Sequence, residues 1–164
     1  MSPLLIPATP SHLDEIAAIQ VHSARRAGAM GFYDLQSRQE LRDLIHSESV
    51  PFVVAEKNDQ VVGYAYGLQQ DISCVIDQIA VSPDLRGSGL GRKLVGAIAD
   101  EVAGQCDTLV AEIISDNTRS QAFFQKNGFE HTERRRGPES GLHWQIWSRP
   151  VSKGLARSLG RRRG

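Results

Sequence analysis

Val81-Ser82-Pro83-Asp84-Leu85-Arg86-Gly87-Ser88-Gly89-Leu90-Gly91-Arg92 joins an apolar, β-rich run to an amphipathic helical one. Pro83 cannot donate to a sheet ladder, so the strand ends before it. Glycines at 87, 89 and 91 allow a tight turn that exposes successive N–H groups. With the start of a helix those groups make a pocket for a phosphate anion, and Arg86 and Arg92 add positive charge at its rim. A tight connection with no ligand uses the same residue types, so the turn alone does not decide between them. The Gly-Lys-Ser/Thr ending of a Walker loop is absent. A dinucleotide-binding turn needs a βαβ unit and an acid about 20 residues on. Glu112 lies near that distance, so this alternative stays open at the level of spacing.

Outward from this block the periodicity alternates. Upstream, 72–81 (ISCVIDQIAV) reads as a strand interrupted once by Asp77-Gln78, preceded by β-rich runs at 52–56 and 61–67. Lys57-Asn58-Asp59-Gln60 between those runs reads as a four-residue hairpin loop. Thr9-Pro10-Ser11 followed by Asp14 and Glu15 marks a helix start, and the apolar positions Leu13, Ile16, Ala17 and Ile19 carry that helix toward Arg25 to Gly28. A second helix is expected from Ser37 to Ile45. Downstream, Leu90, Leu94, Val95, Ile98 and Val102 form a helical stripe closed by Gly104. A strand follows at 108–114, then a helix over 118–127 capped by Ser115-Asp116-Asn117 and ended by Asn127-Gly128. Strands at 129–134 and 142–148 complete a mixed α/β (α+β) layer fold.

The chain has 164 residues, 40% hydrophobic and 23% charged, enough for one sizeable core and too few for two ordinary domains. A single domain is therefore expected over 1–150. No apolar run is long enough to span a bilayer, and the start has no secretory pattern. Cys74 and Cys106 have no metal or disulfide-framework spacing, and the five histidines show no ligand spacing, so no metal is expected. A cytoplasmic location follows by default. The balanced net charge hides an asymmetry. Residues 151–164 carry Lys153, Arg157, Arg161, Arg162 and Arg163 and no acid, a charge of +5, so with a total of +0 the residues before them sum to −5. That excludes a strongly basic nucleic-acid-binding body. The tail reads as a frayed terminus, with contact to RNA or another acidic partner as the alternative.

The strand, Arg86-Gly87-Ser88-Gly89-Leu90-Gly91 and the helix together resemble the coenzyme A pyrophosphate motif of the GNAT superfamily of N-acyltransferases, whose pattern is Gln/Arg-x-x-Gly-x-Gly/Ala. Arg86, Gly89 and Gly91 match it in type and spacing. Asn117, Ser120, Phe123-Phe124 and Asn127-Gly128-Phe129 resemble that family's second signature, Asn-x-x-Ala-x-x-Leu-Tyr-x-x-x-Gly-Phe. The likeness runs from Leu5 to Trp147. It implies a mostly antiparallel central sheet flanked by helices and splayed between its fourth and fifth strands, with acetyl-CoA as cosubstrate. The backbone of Ile79, Ala80 and Val81 would pair with pantetheine, and residues 86–92 (Arg86, Gly87, Ser88, Gly89, Leu90, Gly91, Arg92) would hold the pyrophosphate. An N–H near residue 79 would polarise the thioester carbonyl. Asn117 would contact pantetheine. Homodimers are frequent among relatives.

Phe124 departs from the pattern, because many members carry there a tyrosine that protonates the leaving thiolate. A thiol of pKa about 8 to 10 leaves without much help, and water can supply the proton. The attacking amine also needs a base. Asp77, beside Gln78 in an apolar strand, is the first candidate and Glu112 the second. His143 beside Trp144 is a third titratable group and a possible substrate contact. Phe32 and Tyr33, between the first two helices, are candidates for the acceptor side, which lies in that region in relatives. The implied activity is acetyl transfer by direct attack of a primary amine of a small molecule or protein. The alternative is a non-catalytic acyl-CoA-binding or sensor protein of the same fold.

Overall fold

A computed structural model describes residues 2–26, 35–137 and 143–152. The strands join one seven-stranded sheet in the order β1-β2-β3-β4-β5-β7-β6. By contacts the chain divides into two compact units, 1–68 with 77–98 and 69–76 with 99–164.

In the first unit, β1 (Leu4–Pro7) pairs antiparallel with β2 (Phe52–Lys57), which pairs antiparallel with β3 (Gln60–Gln70). Lys57 pairs with Gln60, so the hairpin loop has two residues and not the four expected from its polarity. Asn58 and Asp59 take φ of 54° and 62°, the left-handed pair that suits the twist of a two-residue turn. β1 was not among the expected strands. It is short, follows Pro3 and ends on Pro7, which an edge position tolerates. α1 (Leu13–Arg26) begins after a short 3-10 turn at Pro10–His12. α2 (Arg38–His46) begins with Ser37 Oγ accepting from the Glu40 N–H and Glu40 accepting from the Ser37 N–H. Leu13, Ile16, Leu41, Phe52, Val54, Val61, Tyr64, Tyr66 and Ala80 form the core of this unit.

β4 (Ser73–Val81) leads into α3 (Leu90–Val102), and the expected helix matches α3 residue for residue. Its stripe buries Leu90, Leu94, Val95 and Ile98. Gly63 of β3 lies beneath the first turns of this helix. A Cβ there would come within 3.1 Å of the Ala80 carbonyl oxygen, 3.2 Å of Leu90 Cδ2 and 3.3 Å of Leu94 Cδ1. A side chain at 63 would push the strand and the glycine-rich connection apart.

In the second unit Ser73, Cys74 and Val75 pair in parallel with Thr108, Leu109 and Val110 at the start of β5 (Thr108–Ile114). β5 is antiparallel to β7 (His143–Pro150), and β6 (Glu130–Arg136) lies outside β7, also antiparallel. α4 (Thr118–Lys126) follows β5 and ends at Gly128, whose φ is 88°. Its anchor is aromatic. Phe124 packs edge-to-face between Phe123 and Phe129, at centroid distances of 5.0 and 4.9 Å. The Arg149 guanidinium lies 5.7 Å from the Phe129 ring centroid and donates to the Asn127 carbonyl at 3.0 Å, and burial lowers its pKa.

Candidate active site

The first unit holds both Asp77 and the residues of the cofactor motif. β4 ends where the Ser82 N–H donates to the Val62 carbonyl at 2.8 Å. Val62 is the extra residue of a bulge between the Ala55–Gly63 and Glu56–Val61 pairs, so the bulge supplies the acceptor that terminates β4. A 3-10 turn at Pro83–Leu85 follows, and the Ser88 N–H and hydroxyl both donate to the Leu85 carbonyl. Gly87 and Gly89 then take φ of 79° and 87° before α3 starts at Leu90. A Cβ at either would meet nothing within 4 Å. The requirement at both is therefore conformational, and the space in front of them is open. The first-turn N–H groups of a helix lack intrahelical acceptors, which makes a helix start of this kind a place where an anion can be bound. Arg86 is half-buried, while Arg92 and Lys93 are exposed, so the rim is basic with Asp84 as its one acid within 83–93. The basic rim has the charge sign that a phosphate group calls for.

Ile79 and Val81 are half-buried and Ala80 is buried, all on the strand that feeds the turn. Asp77 is exposed, and its Oδ2 accepts a hydrogen bond from the Tyr66 hydroxyl at 2.8 Å. Gln78 is buried and accepts from the Tyr64 hydroxyl at 2.8 Å. The two tyrosines were not singled out in the sequence. Their signal was two phenols at a spacing of two in β3, facing a polar pair in β4.

The second unit holds the remaining candidates. Glu112, in the middle of β5, has its carboxylate 3.6 Å from Arg135 Nη1. Arg135 also bonds Glu133 at 3.0 and 3.3 Å, which holds the Glu133 carboxyl below the usual carboxylate range. Glu112 is thus one arm of a surface ion-pair network. Asn117 caps α4, its Oδ1 accepting from the Ser120 N–H at 3.1 Å. Phe124 is buried in the aromatic cluster and has no proton to give. Ser115, expected only as a cap, has a buried hydroxyl with no hydrogen-bond partner among the described residues. His143 is the exposed first residue of β7, opposite Arg136. Phe32 and Tyr33 lie outside the described residues. Among the described residues no three His, Cys, Asp or Glu side chains group to hold a metal ion, and no helix is long and apolar enough to cross a membrane.

The family model described as Acetyltransferase (GNAT) family matches residues 14–129. The chain belongs to that family. Its curated relatives include the peptidyl-lysine N-acetyltransferase YjaB of Escherichia coli, 30% identical over 106 residues that cover 63% of this chain and 67% of that protein. The L-amino acid N-acyltransferase MnaT of the same organism is 36% identical over 104 residues, 59% of each chain. Another match, the Bacillus subtilis spore coat polysaccharide biosynthesis protein SpsD, is much longer, and the aligned region spans only 35% of it. Among solved structures, yncA of Salmonella typhimurium, determined with its cofactor acetyl-CoA, superposes with a TM-score of 0.74 at 22% identity, covering 93% of this chain and 96% of that one. At that identity the likeness concerns the GNAT fold.

Proposed function

We propose that this GNAT protein is an N-acetyltransferase that moves an acetyl group from acetyl-CoA to a primary amine, with residues 1–150 as its acetyltransferase domain. The observation that carries the reading is the connection from β4 to α3. Two exposed glycines in left-handed conformations open onto free space at a helix N-terminus, with Arg86 and Arg92 at the rim.

In this reading the backbone of residues 86–91 binds the pyrophosphate, Arg86 and Arg92 balance its charge, and the backbone of Ile79, Ala80 and Val81 aligns the pantetheine arm. The bound cosubstrate supplies an activated acetyl thioester. An N–H near Ile79 stabilises the oxyanion that develops when the amine attacks. Asp77 removes the proton from the incoming ammonium, without which nitrogen has no lone pair to donate. Asn117 contacts the cofactor beyond its capping bond. Phe124 gives the departing thiolate no proton, so water provides it. Two buried free thiols, Cys74 and Cys106, suit a reducing compartment, which supports a cytoplasmic location.

The amine class follows from the relatives only as a choice of probes. A lysine-containing peptide and free L-amino acids represent the ε- and α-amines that YjaB and MnaT are named for, and spermidine adds a polyamine. Phe124 favours a second reading, an acyl-CoA-binding protein without turnover. Calorimetric titration with acetyl-CoA, followed by thiol-release assays with these amines, separates the two. Binding with turnover supports the enzyme, binding without turnover supports the second reading, and no binding sinks both.

A further inference from the structure

Tyr64 and Tyr66 are both 0% exposed and stand at alternate positions of β3 within an otherwise largely apolar core. Phe52 packs against both rings, with centroid distances of 6.2 and 4.9 Å, and the strand register sets Phe52 opposite Tyr66 and Val54 opposite Tyr64. The rings are therefore fixed by packing, and their hydroxyls must find acceptors where the core puts them. Each finds one member of the polar pair in β4, at the same distance of 2.8 Å.

The two bonds differ in what they hold. Tyr64 and Gln78 are both buried, so this bond joins two neutral polar groups inside the unit. Tyr66 is buried but Asp77 is exposed, so a donor anchored in the core reaches out to fix a carboxylate at the surface. Its bond falls on Oδ2, and among the described residues none donates to Oδ1. An exposed aspartate otherwise samples several rotamers, and a base that must meet an amine at one position loses rate to each of the others.

We propose that Tyr66 is the positioning residue of the acetyl transfer: its hydroxyl locks Oδ2 of Asp77 so that Oδ1 faces the acceptor amine. This rests on the reading of Asp77 as the base. The ammonium proton passes to Oδ1, converting carboxylate to carboxyl. The freed nitrogen lone pair forms the bond to the acetyl carbonyl carbon, and the carbon–sulfur bond breaks with its electron pair leaving on sulfur. Tyr66 keeps its own proton throughout.

Tyr66→Phe and Tyr64→Phe each delete one buried oxygen from the same strand and the same cluster, which makes the second a control for the first. The assay uses the full chain with acetyl-CoA and whichever of the lysine peptide, free amino acids or spermidine is turned over fastest. Tyr66→Phe is expected to lower kcat about tenfold with KM for acetyl-CoA unchanged. Tyr64→Phe keeps the wild-type kcat. In an Asp77→Asn background, Tyr66→Phe has no further effect on kcat, because the group it positions is no longer a base. Equal losses in the two single variants, or an undiminished effect in the Asp77→Asn background, would assign Tyr66 to packing and overturn the proposal. Failure of the underlying reading looks different: Asp77→Asn then keeps full kcat, or no amine is turned over, while calorimetry still reports acetyl-CoA binding.

Discussion

Asp77 and Glu112 are both exposed carboxylates set in the middle of largely apolar strands, one in each unit, yet their surroundings differ in kind. Asp77 is held by a neutral phenol that is itself locked in the core, and within the described residues it has no ion pair. Glu112 faces Arg135, which is shared with Glu133. Glu112 is thereby engaged by an exposed ion-pair network. A carboxylate held by a hydroxyl is oriented without a compensating positive charge. The two carboxylates thus differ in their neighbours, and the proposed mechanism takes Asp77 as the base for that reason.

The largest expected effect breaks or keeps that ranking. Asp77→Asn should lower kcat by about 100-fold or more, the usual contribution of a general base. Glu112→Gln should leave kcat within about threefold, since it removes only one arm of an exposed network. Steady-state rates at saturating acetyl-CoA read both, and a reversed order would make Glu112 the base. A smaller effect belongs to the cofactor cradle. Gly89→Val places a β-branched side chain at a φ of 87° and should weaken acetyl-CoA binding about tenfold or more. Gly63→Ala instead crowds the Ala80 carbonyl and two leucines. It should cost about 1 to 3 kcal/mol of stability on chemical denaturation, the range for overpacking. If the two variants exchanged phenotypes, the division between a conformational glycine and a packing glycine would fail.

What the sequence made legible follows the same division between local and non-local causes. α3 and β5 were read to their ends because each is an uninterrupted pattern with a breaker beyond it, Gly104 for the helix and Ser115-Asp116-Asn117 for the strand. The glycine turn ahead of α3 was read because glycine spacing is a local property of the backbone. The two-residue hairpin at Asn58-Asp59 was misjudged as four residues because polarity does not reveal that both residues adopt positive φ. β1 was missed because a four-residue segment that follows one proline and ends on another carries no period of its own and becomes a strand only by pairing with β2. The polar pair Asp77-Gln78 was visible as an interruption, whereas its partners Tyr64 and Tyr66 were not, because a cross-strand hydrogen bond depends on register. Glu112 was the second candidate for the base, for its place in β5. Its neutralising partner lies on β6, two strands away in the sheet order.

The smallest effect is electrostatic and tests the Glu112 side of the comparison. Arg135 lowers the Glu133 pKa through a hydrogen bond and charge, and its own is raised in return. A carboxyl whose folded pKa lies below its unfolded value adds stability above the unfolded value, near 4.5, and loses it as pH falls through the folded one. Arg135→Gln should therefore lower the unfolding midpoint slightly at pH 7, and the difference from wild type should shrink toward zero on acidification. Added salt at pH 7 should shrink it as well, because the network is exposed and screened. Thermal unfolding at pH 7 and pH 3, each with and without salt, measures this. A difference that ignored both pH and salt would mean that Arg135 acts by covering its register neighbour Trp144. The choice between Asp77 and Glu112 as the base would then rest on the Asp77→Asn and Glu112→Gln rates alone.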